Sequence, residues 1–352
     1  MRAGIFTSRQ LKPLHPRLGS MTKFLGDNGL PYEIVPSVRH SILSRINWIS
    51  LFFFDNYSVC RLRNKISAFD TIIIHDMKLL PLARAARAEG KVVIYETLDN
   101  NVSLRLYQLE KRFPFFKFFH NHILEHFTGK EKNIVSNYCD KVIVNSKALE
   151  EYFGPGAVIA YYYSSFEDLA VFNNPSLPPA LIYLGDFSSE KGADQVLALR
   201  ERLSVPLHIY GSISSPGILE LIKKSPLISY TPRLSHVELR SELERLMGCN
   251  FLVGTSFIKS IHYSYATQEA NKDIDYLAMG IPLVGNHRKP TGEKIMAGCG
   301  VFHDDAQGLD RLVRDEEYRK LVSGNCRMYY SANYSWEHYR NSLERVFLHG
   351  NK

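Results

Sequence analysis

The stretch Asn271-Lys272-Asp273-Ile274-Asp275-Tyr276-Leu277-Ala278-Met279-Gly280-Ile281-Pro282-Leu283-Val284-Gly285 decides the fold of this chain. Polar and charged residues lead into one turn of helix after another, Gly280 stands where a helix stop belongs, and Ile281 to Val284 reads as a short buried parallel strand. Free backbone N–H groups and a positive dipole end lie at the start of such a helix. Asn271 and the Lys272 ammonium stand in its first turn, with the Asp275 carboxylate close behind, and the group suits a diphosphate and a ribose diol.

A second run has the same logic. Ile182-Tyr183-Leu184-Gly185-Asp186-Phe187-Ser188-Ser189-Glu190-Lys191-Gly192-Ala193-Asp194 puts a glycine directly after a strand, then a loop, then Lys191-Gly192 opening a helix. Gly185 allows a ligand close to the backbone, and Lys191 reaches a phosphate as a point charge.

These two runs together resemble the nucleotide-sugar site of the GT-B glycosyltransferases, particularly the large retaining family 4. The first matches on its Asn-Lys pair and Tyr-Leu-Ala-x-Gly-x-Pro-Leu-Val; the second is similar to the family's Gly-Arg-x-x-x-x-Lys-Gly. The resemblance implies that Lys191 and Lys272 neutralise the departing nucleoside diphosphate. Asp186 occupies the arginine position, so the two lysines carry more of that charge. The family's two glutamates separated by seven residues are also altered. Asp275 takes the ribose position, while Thr267 stands at the first, with Gln268 and Glu269 beside it. Sugar contact then falls to Glu269 or to Thr267 and backbone amides.

Looser matches follow in the family's order. Leu207 to Ser212, with Gly211, is similar to the strand and turn beside the nucleotide, and Tyr230 to His236, with Arg233, to the loop that reads the base. Thr291-Gly292-Glu293 resembles the Gly-Gly-x-x-Glu region, and Ser335 to Phe347 the last helix, which in this fold crosses back onto the N-terminal domain. His15-Pro16-Arg17, Ile74-His75-Asp76 and Ile94-Tyr95-Glu96 fall where acceptor-side motifs lie, making Arg17 and His75 acceptor-side residues. Where family members carry a histidine after the fourth strand, this chain has Thr97-Leu98-Asp99. Asp99 is a candidate for sugar hydroxyl binding, or for the general base should configuration invert, and equally for a turn residue before Asn100 and Asn101.

The remaining pattern agrees with an α/β chain. Strand signals at Arg2 to Thr7, Tyr32 to Val35, Thr71 to His75, Val92 to Tyr95 and Lys141 to Asn145 alternate with helices at Arg17 to Gly26, Leu79 to Ala88 and Ala148 to Phe153. Asn173 to Pro179 holds three prolines in seven residues and reads as a linker. Strands at Ala180 to Leu184, Leu207 to Tyr210, Leu227 to Tyr230, Phe251 to Gly254, Pro282 to Val284 and Val301 to His303 follow, with helices at Ala193 to Leu203, Gly217 to Lys224, Ser235 to Met247 and Asp273 to Met279. The expected fold is GT-B: two Rossmann-like doubly wound domains, residues 1–172 on the acceptor side and 181–335 on the nucleotide-sugar side, joined by a 173–180 linker, with 336–352 packing back and a cleft between the domains.

Composition narrows the function. The 352 residues suffice for two domains, and the five cysteines are scattered with no Cys-x-x-Cys, which favours a reducing cytoplasm over a disulfide framework or a zinc site. The N-terminus reads as a first strand, not a signal peptide, and the most apolar window, Ile46 to Phe54, falls short of the roughly 20 residues that span a bilayer. No Gly-x-Gly-x-x-Gly follows a strand, no nucleotide-hydrolase phosphate loop occurs, and no Asp-x-Asp is placed for a metal. The expectation is therefore an enzyme without metal or cofactor, the nucleotide sugar being a substrate.

Residues 1–170 hold 22 Lys/Arg against 16 Asp/Glu, and the rest 21 against 20, so the N-terminal half carries the excess. Within it, Lys111 to His120 and Arg45 to Phe54 interleave cations with aromatic rings. Such stretches suit the headgroup region of an anionic membrane, or fill a core; without an accompanying motif, nucleic acid is not expected. The leading reading is a cytoplasmic glycosyltransferase, at the inner face of the membrane if those stretches touch it. It would move a sugar from a nucleotide-diphosphate donor to a glycan or lipid-linked acceptor in cell-envelope polysaccharide synthesis. A sugar-nucleotide epimerase, a phosphorylase and a non-catalytic partner-binding subunit are the rivals.

Overall fold

A computed structural model describes residues 1–8, 16–37, 57–169, 171–213, 215–259 and 263–348. His15 and the aromatic stretch Arg45 to Phe54 lie outside them. The chain forms two compact units: Met1–Tyr161 with His262–Ser264 and Arg340–Lys352, and Tyr162–Ile261 with Tyr265–Tyr339.

The first unit is built on six parallel strands, β1 (Ala3–Thr7), β2 (Tyr32–Pro36), β3 (Thr71–Ile74), β4 (Val92–Glu96), β5 (Lys141–Val144) and β6 (Ala157–Ile159), in the order β2-β1-β3-β4-β5-β6. Every residue of β1 and β3 is buried, the continuous apolar signature of strands covered on both faces. The sequence pattern finds five of these strands and misses β6, which is only three residues long. It also misses the helices Tyr57–Ile66, Asn101–Arg112 and His120–Tyr138, although the last two bury residues at helical spacing. The helix Trp336–Phe347 ends in this unit, where Phe347 packs on Phe24 with ring centroids 5.6 Å apart.

The second unit repeats the plan with β7 (Pro179–Leu184), β8 (Leu207–Tyr210), β9 (Ile228–Thr231), β10 (Phe251–Ser256), β11 (Leu283–Gly285) and β12 (Gly300–Phe302), all parallel, in the order β12-β11-β10-β7-β8-β9. The Pro-rich segment is part of this unit and no free linker. The buried Asn173 side chain accepts from Leu252 N (2.7 Å) and donates to Leu252 O (2.9 Å) and Gly280 O (3.2 Å). Prolines lack an N–H but keep their carbonyls: Pro178 O accepts from Phe251 N at 2.9 Å, and Pro179 takes the first position of β7, where a missing donor is tolerated.

Strand order reverses between β1 and β3 in the first sheet and between β7 and β10 in the second. Each doubly wound unit therefore has its own switch point, and open α/β sheets bind ligands at the carboxyl edge of such points.

One buried acid in the first unit has a measurable consequence. Glu131 accepts from the hydroxyls of Tyr95 (3.2 Å) and Tyr152 (2.8 Å). Burial nonetheless pushes its carboxyl up to about 7 against the opposing effect of both hydroxyls. A folded-state value above the unfolded one means that stability is fully present below the unfolded value of about 4.5 and is lost as pH rises through about 7. Glu131→Gln removes that loss. Denaturant titrations at pH 5 and pH 8 should show the variant gaining on the wild type by on the order of 2 kcal/mol at the higher pH only.

Candidate functional site

In the second unit the candidate site forms at the β7/β10 switch point. Gly254 is the last β10 residue paired with β7, opposite Ile182, and beyond it the strands part. Tyr276, on the helix Asn271–Ala278, fills the gap. Its ring lies against Gly254, where an added Cβ would come within 2.4 Å of it, and its hydroxyl accepts from Leu184 N (2.9 Å) and donates to Ile182 O (3.2 Å). The helix is thereby fixed with its first turn at the carboxyl edge of the sheet.

Lys272 in that turn sets its Nζ 3.8 Å from the centre of the Tyr183 ring, at the end of β7. The Nζ is shielded from solvent and has no hydrogen-bond partner among the described residues. Burial, followed by the repulsion of Lys191 and Arg288 and against the attraction of Asp273, pulls the ammonium down to about 7. Lys191 arrives from the turn after β7, its Nζ 3.9 Å from the centre of the Tyr265 ring. Two lysines from separate motifs thus share one locality, each over an aromatic face.

Around them the backbone is stripped of side chains. Gly185 and Gly211 close β7 and β8 with φ of +112° and +147°, and a Cβ on Gly211 would fall 1.8 Å from Gly185 O. Asp186, in the arginine position of the family motif, accepts from the Ser212 hydroxyl at 3.1 Å and so ties the two turns together. Asn271 is exposed beside Lys272, Thr267 ends the short helix Tyr263–Thr267, and Arg233 stands exposed in the loop after β9. Gln268 Oε1 is buried without a hydrogen-bond partner among the described residues.

Of the expected carboxylates, Glu269 is engaged elsewhere and Asp275 is engaged through one oxygen. Glu269 is buried in an ion pair with Lys294 Nζ at 2.7 Å, which turns it from a sugar contact into a structural strut; a carboxylate with a dedicated buried cation is not free to serve a reacting centre. Asp275 accepts through Oδ1 from Ser164 Oγ (2.7 Å) and Tyr162 OH (3.3 Å), and burial pushes it up to about 7 despite both bonds. Sequence reasoning also passed over the charges beneath the helix. Arg288 donates to Gln268 O and Thr291 Oγ1 (2.8 Å) and lies 3.6 Å from Asp273, which accepts from Thr291 Oγ1 at 2.8 Å. Asp273 and Thr291 stood in quoted motifs, but Arg288 carried no sequence signal.

In the first unit Arg17, His75 and Glu96, one from each of the three motifs quoted in the N-terminal half, come together at the carboxyl edge of β3 and β4. Glu96 binds Arg17 Nε at 3.0 Å and His75 Nδ1 at 2.6 Å, and Arg17 Nη1 donates to Ala160 O at 2.6 Å. All three side chains are buried. Beside them a small polar cleft is lined by His75, Asp76, Glu96, Thr97, Asp99 and Arg105, among others. The cap of the helix Asn101–Arg112 is Asn100, whose side chain accepts from Ser103 N at 2.9 Å; Asp99 is left to line the cleft. Glu96, which joins Arg17 to His75, is the residue the sequence undervalued: an acid ending an apolar strand was its only signal. Among the described residues no group of three or more His, Cys, Asp or Glu is placed to hold a metal ion.

No family model matches the chain, and neither does any curated protein. Solved structures do. An α,α-trehalose-phosphate synthase (UDP-forming) from Burkholderia vietnamiensis aligns over 98% of this chain and 99% of its own, at 12% identity and a TM-score of 0.65. AviGT4, a glycosyltransferase involved in avilamycin A biosynthesis, covers 98% and 96% at 11% identity and 0.55, and the S. aureus MnaA–UDP co-structure 99% and 97% at 12% identity and 0.56. The fold is GT-B. At such identities the likeness extends to the fold alone, and the chemistry rests on the residues above.

The buried charges under the helix Asn271–Ala278 supply a direct test. Asp273→Ala strips Arg288 of its carboxylate, both side chains being fully buried, and a buried charge left unpaired costs about 3–5 kcal/mol. Urea denaturation should show a loss of that order, and Lys272→Met none.

Proposed function

We propose that this protein is a glycosyltransferase that moves a sugar from a nucleoside-diphosphate sugar to a glycan or lipid-linked acceptor in cell-envelope polysaccharide synthesis. Retention at the anomeric carbon and independence of metal and cofactor belong to the same reading, as does a place at the cytoplasmic face of the membrane. The observation that carries it is the shielded Lys272 ammonium beside Lys191 at the switch point of the second sheet. A cation held without a hydrogen-bond acceptor is ready for an anion that supplies one.

The donor diphosphate is assigned to Lys191, Lys272 and the first turn of the helix Asn271–Ala278, with Gly185 and Gly211 giving it backbone access. As the bond to the sugar breaks, charge builds on the diphosphate, and the two ammonium groups stabilise it. Asp275 contacts the ribose through the oxygen that Ser164 and Tyr162 leave. On the acceptor side, Arg17, Glu96 and His75 brace the cleft in which Asp99 binds a sugar hydroxyl. The UDP-forming synthase and the UDP co-structure among the structural neighbours support a uridine nucleotide as the first donor to try.

A panel of nucleoside diphosphates in thermal-shift assays should give one that stabilises the protein, by RT ln(1 + [L]/Kd). Lys191→Ala and Lys272→Met should each weaken that binding at least about tenfold. The wild-type affinity should fall as pH rises from 7 to 9, because the free ammonium loses its proton near 7, whereas Lys272→Met should show no such slope. If no diphosphate stabilises the protein, or if both variants bind as the wild type does, the leaving-group role is refuted. Stabilisation without transfer in the presence of candidate acceptors would leave the epimerase or the non-catalytic binding subunit in its place.

A further inference from the structure

We infer that the turn Pro114–Phe119 in the first unit is a docking surface for an anionic lipid bilayer. The turn joins the helices Asn101–Arg112 and His120–Tyr138, and none of its residues is buried. Phe118 is 84% exposed and Phe115 65%, with Phe113 and Phe119 also exposed. These rings form one cluster: Phe115 lies 5.2 Å from Phe119 and 6.3 Å from Phe118, centroid to centroid. The core-filling alternative does not hold for them, since only Phe116 packs against the core.

The turn is held in shape. Phe116 anchors it from below, and a 2.6 Å contact between His120 Nδ1 and the buried carboxylate of Glu110 clamps the two helix ends together. Contiguous apolar surface that is rigid and uncovered marks a contact site. Its occupant is named by charge. Lys111, Arg112 and Lys117 are all exposed among the rings, and residues 111–120 contain no acid. Aromatic rings projecting between cations match the acyl and headgroup layers of an anionic leaflet. Among the described residues no helix is long and apolar enough to cross a membrane, so contact here is interfacial.

The geometry gives the contact a use. Asn101 and Arg105 line the polar cleft at the start of the helix whose other end carries the aromatic turn, so the two are separated along that helix by no more than about 18 Å, its twelve-residue length. A headgroup that extends by that length reaches it. The docking surface itself does not depend on the transferase reading, because vesicle binding is measured without any substrate.

Sedimentation with vesicles of equal parts phosphatidylglycerol and phosphatidylcholine tests it. The full chain should pellet at low salt at least about tenfold more tightly than with phosphatidylcholine alone, and high salt should release it. The double variant Phe115→Ser/Phe118→Ser, whose exposed rings support no core, should keep its thermal midpoint and lose at least about tenfold in vesicle affinity. In Phe118→Trp, vesicles carrying brominated acyl chains should quench the new indole. Binding unchanged by the double variant, or no binding at low salt, overturns the inference. So does concentration-dependent self-association without lipid that the double variant abolishes, which would make the partner a second copy of the chain.

Discussion

The phenol of Tyr276 bridges the end of β7, accepting from Leu184 N and donating to Ile182 O where β10 and β7 separate. Leu184 N at the switch point would otherwise need water or a ligand, while Ile182 O, which also accepts from Thr255 Oγ1 at 3.0 Å, gains a second donor. By engaging both, Tyr276 anchors the helix Asn271–Ala278 to the sheet and fixes the direction of its first turn. The bare backbone of Gly254 makes room for the ring, and Lys272, four residues before the tyrosine, is carried to the face of Tyr183.

That placement has an energetic signature. Lys272 is desolvated, repelled by Lys191 and Arg288, and only partly compensated by Asp273. A group so placed opposes folding when protonated, and its unfavourable contribution grows as pH falls from about 10.5 towards 7. Perturbed groups of this kind gather where a protein handles an anion or a proton. The pair Glu269 and Lys294 and the set Asp273, Thr291 and Arg288 contrast with it: their charges are matched and bonded, and they support the helix from below.

Most of the fold was legible because strands buried on both faces, such as β1 and β3, are continuous apolar runs; eleven of the twelve strands could be placed, including the more exposed edge strands β2 and β9. The helices on either side of the aromatic turn were passed over, although Val102, Leu106 and Leu109 in one and Phe127, Ile134 and Val135 in the other recur at helical spacing. Lys191 could be read because it directly precedes Gly192, and Lys272 because it opens a helical run that Gly280 stops eight residues later. Asp275 and Glu269 could be placed in the sequence but not assigned their partners: Ser164, Tyr162 and Lys294 come from distant or unremarkable positions, and pairing across such separations leaves no local pattern. Glu96 was hidden for the same reason, its meaning set by Arg17 and His75, which reach it from two other elements.

Side-chain nitrogen NMR of the lysine ammonium groups, with Lys272→Met to assign the signal, measures the central claim at its own atom. Lys272 should titrate near 7 in the free protein and move upward when the stabilising nucleoside diphosphate is added. A signal that titrates near the ordinary value of 10.5 and ignores the nucleotide would show that Lys272 is a solvated surface group, and the assignment of the donor site would fall.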